Sequence, residues 1–116
     1  MKHSIAKYLE DVRLSIEDIE NYTLNVSSPA DIENNQMLFD ALCRRFAIIG
    51  EAVFQADKID PSIIITDKNK IKGLRHIIVH DYDIVRAVDL FIVIQKNLSL
   101  LKAEVLALLK IVGEQQ

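Results

Sequence analysis

Between Lys72 and Tyr82 the chain reads Lys72-Gly73-Leu74-Arg75-His76-Ile77-Ile78-Val79-His80-Asp81-Tyr82. Five groups that ionise or donate hydrogen bonds, Arg75, His76, His80, Asp81 and Tyr82, fall within eight positions. RNA cleavage asks for such a set. A base takes the ribose 2′-OH proton, an acid protonates the leaving 5′-oxygen, and a cation steadies the pentacoordinate phosphorane. Histidine suits the proton transfers because its unperturbed pKa of ~6.5 lets it give and accept near neutrality. Arginine suits the phosphate because its planar fork is permanently charged and binds two oxygens at once. With the nucleophile inside the substrate, this chemistry needs no metal and no cofactor.

The spacing sets a geometric problem. Arg75 and His80 are five positions apart, about 140° around an ideal helix of 3.6 residues per turn. They meet if the helix loosens near its C-terminus, or if two protomers each present an Arg–His pair across a two-fold axis. Upstream, Lys68, Lys70 and Lys72 extend the cationic run against a single Asp67, a ridge able to meet the RNA backbone.

Plainer roles stand beside these. His76 and His80 are four apart, a zinc-compatible spacing on one helix face, but no cysteine or second histidine cluster completes such a site. Arg75 could bridge to Asp81 or Asp83 as a surface pair worth ~0–1 kcal/mol. Tyr82 could end a helix with its hydroxyl in water. Cys43, beside Arg44 and Arg45, lies mid-helix between Leu42 and Phe46 and reads as a packed thiol. The two arginines face an acidic first helix carrying Glu10, Asp11, Glu17, Asp18 and Glu20.

The elements that must carry these residues follow from apolar spacing. Ile5, Leu9, Val12, Ile16 and Ile19, with Val26 beyond, form one stripe. Phe39, Leu42, Phe46, Ile49, Val53 and Ala56 form a second. Ile84, Ala87, Phe91, Ile94, Leu98, Leu101, Val105, Leu108 and Val112 form a third of nearly thirty residues. Steps of three and four place each on one helix face, and no segment alternates with period two. Ser28-Pro29, with Asp31 behind it, predicts the start of the second helix. Asp60-Pro61 precedes a short turn over Ser62 to Ile65. Thr66 or Asp67 starts a third helix to about His80, and Asp83 caps a fourth. The expected fold is all-α, an up-and-down four-helix bundle with a short extra helical turn. Gly50, mid-helix at a cost of about 1 kcal/mol relative to alanine, marks a close approach by a neighbouring helix.

The chain of 116 residues and 13.2 kDa has the length of a single domain over 1–116. One cysteine excludes a disulfide framework, and apolar runs of five residues exclude a membrane span. The start, Met1-Lys2-His3-Ser4, leads directly into a charged amphipathic pattern, which predicts no signal peptide and a cytoplasmic protein. Net charge is −3, against a generic nucleic-acid binder, but it is uneven. Residues 1–60 carry 6 Lys/Arg and 11 Asp/Glu, a net of −5; residues 61–116 carry 8 and 6, a net of +2. The fourth helix is apolar over more than one face, with Val85, Val88, Ile92, Val93, Leu100, Leu106, Leu109 and Ile111 off the stripe. A homodimer through that helix is the economical reading.

Arg75-x4-His80-x-Tyr82, late in a small all-helical chain, resembles the R-x4-H-x-Y signature of HEPN-superfamily toxins. More narrowly it resembles the HepT toxins encoded beside minimal nucleotidyltransferase antitoxins. Ile48-Ile49-Gly50-Glu51-Ala52 and Ile71-Lys72-Gly73-Leu74-Arg75 fit the same family, as do chain length and helix order. The resemblance implies a dimeric, metal-independent endoribonuclease of a type VII-like toxin–antitoxin system, with Arg75 and His80 catalytic. It implies that the antitoxin attaches AMP to Tyr82 and so silences the toxin. His76 stands where HEPN motifs often have asparagine and is expected to assist catalysis or position the phosphate. The alternatives are a non-catalytic HEPN-like module that binds a nucleotide or a partner, and a plain helical dimerisation domain.

Overall fold

A computed structural model describes residues 3–114. Met1 and Lys2, on which the expectation of no signal peptide partly rests, lie outside them. The elements in chain order are α1 (Ile5–Tyr22), α2 (Pro29–Glu33), α3 (Gln36–Ile59), α4 (Lys68–His80), a 3₁₀ turn (Tyr82–Ile84), α5 (Ala87–Lys96) and α6 (Leu98–Glu114). No strand occurs among the described residues, and the all-α expectation holds.

The two long core helices form where the apolar stripe and a local cap agree. The Ser4 side chain accepts from the Lys7 N–H to open α1, and Leu9, Val12, Ile16 and Ile19 then bury completely. The Asn35 side chain accepts from the Leu38 N–H to open α3, whose Leu42, Phe46, Ile49, Val53 and Ala56 fill the core. α3 is the hub: it lies against α1, α2, α4 and α5, while α6 closes the far side of α1. The backbone of α4 lies close to α3 and to the 3₁₀ turn, and to no other helix among the described residues. Links between distant segments are polar. Arg45 pairs with Asp18 at 3.3 Å and Lys102 with Glu20 at 2.8 Å, and the Glu104 carboxylate accepts from the Thr66 hydroxyl at 2.7 Å.

Four expected boundaries move. Ser28-Pro29 starts only the five-residue α2, because the Asp31 carboxylate accepts from the Ser27 and Ser28 backbone N–H groups; the long second helix starts at Gln36. Pro61 and Ser62 make a plain turn, in which Asp60 accepts the Ser62 N–H at 3.0 Å. The expected last helix divides into α5 and α6 at Asn97, whose side chain is drawn to Asp67, at the cap of α4, at 2.8 Å. Asp83 lies inside the 3₁₀ turn instead of capping a helix. The cap position of α5 is Arg86, whose N–H donates to Asp89 at 3.3 Å.

The expected apolar stripe holds from Ala87 to Val112 and loses only its first member, Ile84. Ile84 is 57% exposed while Val85 and Leu90 are buried. Val93 and Leu109, off the expected stripe, pack on the core, whereas Ile92, Leu100, Leu106 and Ile111 remain exposed. The accessible surface, 6973 Å², exceeds the roughly 6,400 Å² typical of a compact chain of this mass.

Candidate active site

α3 and α4 run antiparallel along one seam, and the candidate residues are laid out along it. At one end, Lys68 and Lys72 both reach Asp57, at 2.7 and 2.9 Å. The two cations hold the Asp57 carboxyl below the usual carboxylate range. Two of the three expected ridge lysines therefore share one carboxylate within the chain, leaving that cluster a net charge of +1, while Lys70 is exposed. Lys72 also lies 5.9 Å from the centroid of the exposed Phe54 ring, and Lys58 lies 5.5 Å from it.

In the middle of the seam, Gly50 opens the space for Arg75. A Cβ built on Gly50 would overlap the Arg75 Cβ and come within 2.8 Å of its Cγ and 3.1 Å of the Ile71 carbonyl oxygen. The close approach expected at Gly50 is thus made by the stem of the motif arginine. With its stem pinned, the guanidinium reaches Glu51, Nη2 to Oε2 at 2.9 Å. The expected bridges to Asp81 or Asp83 are not formed. A depression of about 310 Å³ adjoins this pair, bordered by Asp11, Arg44, Ile48, Glu51, Arg75 and Val79. Arg44 and Arg45 part company here: Arg45 meets α1 at Asp18, while Arg44 borders the depression.

His76 and His80 occupy the solvent-facing side of α4, both exposed, with ring centroids 4.6 Å apart. α4 stays α-helical through His80 and is broken only at Asp81 (φ −148°, ψ 53°). Loosening of the helix therefore does not bring Arg75 and His80 together. Within one chain the imidazoles meet each other, and the guanidinium meets Glu51. Among the described residues no three His, Cys, Asp or Glu side chains cluster closely enough to hold a metal ion. Ile77, Val79 and Ile84 flank the motif as exposed apolar side chains.

Tyr82, at the start of the 3₁₀ turn, folds back onto the first turns of α3. Its hydroxyl donates to Asp40 Oδ1 at 2.6 Å, and Gln36 Nε2 donates to the same oxygen at 2.9 Å. The ring stands edge-on to Phe39, centroids 5.9 Å apart. The hydrogen bond to a carboxylate pushes the phenol pKa up to about 12 and pulls that of Asp40 down. Cys43, one turn along α3, is buried, and desolvation pushes its thiol up to about 11, as befits a packed side chain.

Read from the sequence alone, Asp40 and Phe54 had no place at the site, and Glu51 had no role beyond its place in Ile48-Ile49-Gly50-Glu51-Ala52. All three are single side chains on α3, and only the antiparallel register with α4 brings them to the motif. Gly50 was the one signal of that register.

A family model described as Ribonuclease HepT-like matches residues 12–108, a span that includes every residue of the α3–α4 seam. No curated protein and no solved structure matches the chain. No helix is long and apolar enough to cross a membrane among the described residues.

Proposed function

The chain belongs to the HepT-like ribonuclease family, and from that premise we propose that it is an endoribonuclease toxin cleaving RNA through Arg75 and His80. His80 moves the proton and Arg75 carries phosphate charge, with the 2′-OH as nucleophile. His76, beside His80 with the two rings tilted at 47°, is a second proton carrier or a phosphate donor, and Lys70 with Lys68 and Lys72 guides the strand. The observation that carries this reading is the exposed His76–His80 pair on the same helix that bears Arg75.

The active form is a homodimer in which an Arg–His pair from each protomer lines one cleft. The uncovered apolar side chains Ile77, Val79 and Ile84 beside the motif, and Ile92, Leu100, Leu106 and Ile111 on α5 and α6, support it. A minimal nucleotidyltransferase antitoxin, as in a type VII-like system, silences the enzyme by attaching AMP to Tyr82, a residue 43% exposed. Each AMP adds a phosphodiester charge and a bulky nucleoside that repel and block RNA. The protein acts in the cytoplasm as one domain over 1–116.

A second reading, a non-catalytic module binding a nucleotide or a partner, draws on the Glu51–Arg75 and Asp57–lysine pairs, which offset much of the positive charge along the seam. Cleavage of RNA in excess EDTA, lost in Arg75→Ala and in His80→Ala, decides for the nuclease. Binding without cleavage decides for the module.

A further inference from the structure

The hydroxyl of Tyr82 is fixed to an unusual degree for an exposed tyrosine. Its Oη–Asp40 Oδ1 distance is 2.6 Å, Gln36 holds the same carboxylate oxygen, and Phe39 sets the ring angle. All three partners belong to the first turns of α3, the helix most firmly embedded in the bundle. Beside the ring opens a groove of about 510 Å³, bordered by Glu33, Gln36, Phe39, Asp83 and Arg86, so the oxygen is reachable from solvent while its proton already points at a carboxylate. A structural tether would need no open side. An acceptor oxygen awaiting an electrophile needs both features.

We propose that Asp40 is the base that receives the Tyr82 proton when this hydroxyl is nucleotidylated, so that the modified protein supplies part of its own modification chemistry. The inference rests on the reading above that Tyr82 accepts AMP. In the step, the Tyr82 oxygen attacks the α-phosphorus of ATP and an O–P bond forms. The bond from that phosphorus to the oxygen bridging to the β-phosphate breaks, and pyrophosphate leaves with the electron pair. The phenolic proton passes to Asp40 Oδ1 and from there to water. A carboxylate is a weak base toward a resting phenol, but the phenol becomes strongly acidic as its oxygen bonds to phosphorus. Protein kinases place an aspartate against the acceptor hydroxyl on the same principle. Asp40 thereby becomes a catalytic residue for the modification, distinct from Arg75 and His80.

The test compares initial rates of AMP addition to the full-length protein, incubated with its co-encoded nucleotidyltransferase and Mg-ATP and followed by intact mass and peptide mapping. Asp40→Asn keeps an oxygen acceptor at the same place and removes the base. Its rate should fall on the order of 10²-fold, the usual contribution of a positioned base. Asp40→Glu, which restores a carboxylate, should recover part of the loss, and this pair of variants remains decisive if one of them folds poorly. Wild-type rates in Asp40→Asn would overturn the proposal even where Asp40→Ala is slow, since the side chain would then only orient the hydroxyl. Wild-type protein that acquires no AMP on Tyr82 would overturn the underlying reading instead, a result visible before any variant is made.

Discussion

Gly50 and Arg75 occupy one crossing point: the stem of the arginine fills the volume that a side chain at 50 would take. Gly50→Ala therefore sets a gain in helix propensity of about 1 kcal/mol against overlap with Arg75 and the Ile71 carbonyl. Overlap wins, since overpacking a closed site costs roughly 1–3 kcal/mol. Urea denaturation should show a net loss of stability, and RNA cleavage should fall further than the folded fraction because Arg75 is displaced. Gly73, also helical, has open space where a Cβ would go. Gly73→Ala should raise stability by up to about 1 kcal/mol, and a loss there would refute this account of the seam.

Replacing either motif residue separates catalysis from folding. Arg75→Ala and His80→Ala should each lower cleavage in EDTA by about 10²-fold or more while leaving the sedimentation coefficient unchanged. Glu51→Gln tests the opposite direction. On the proposed reading it removes a carboxylate that would compete with RNA phosphate for Arg75, a half-buried pair near the surface worth ~0–1 kcal/mol. RNA affinity, read by fluorescence anisotropy, should rise by at most about fivefold. Weaker binding would mean that Glu51 orients the guanidinium for its task.

Tyr82 and Asp40 give a spectroscopic prediction. The neutral phenol donates to the carboxylate, whereas a phenolate would face a like charge, so ionisation is deferred to about pH 12. The tether contributes stability below the ordinary phenol pKa of ~10 and loses it as pH rises through the folded value. Phenolate absorbance of wild type minus Tyr82→Phe should show this group titrating near the upper value, and Asp40→Asn should bring it back toward the ordinary one. An unchanged titration in Asp40→Asn would refute the assigned cause.

Helices were legible because burial repeats every turn: Leu9, Val12, Ile16 and Ile19 announce α1, and the same logic finds α3. Their interruptions were not. At Asn97 the amide still reaches the Val93 carbonyl at 2.9 Å, so the apolar register passes through the break almost unaltered. Only the pull of Asp67, far off in sequence, reveals it. Arg75, His76 and His80 were legibly placed on one helix. The partners of Arg75 and Tyr82 were not, because Glu51 and Asp40 lie on α3 and look like any charged residue of a solvated face.

Asp57 contributes to the acid side, as do Glu10, Asp31, Asp40 and Asp60, whose carboxyls are also depressed. The Asp57 carboxyl is depressed in the fold by Lys68 and Lys72. The paired charges thus contribute stability above the unfolded carboxylate value of ~3.9, and that contribution fades as pH falls through the lower folded value. Thermal midpoints taken between pH 6 and 2.5 should drop less steeply in Asp57→Asn than in wild type. Parallel curves would remove Asp57 from the acid response.

The backbone of α4 leans on α3 and the turn after it, whereas α3 itself is clasped from several sides. With a single helical neighbour for its backbone, the motif helix should exchange its amides with deuterium before those of α1 and α3. A surface carried on a helix whose backbone leans on one main neighbour can be lost by a local detachment that leaves the remaining fold standing.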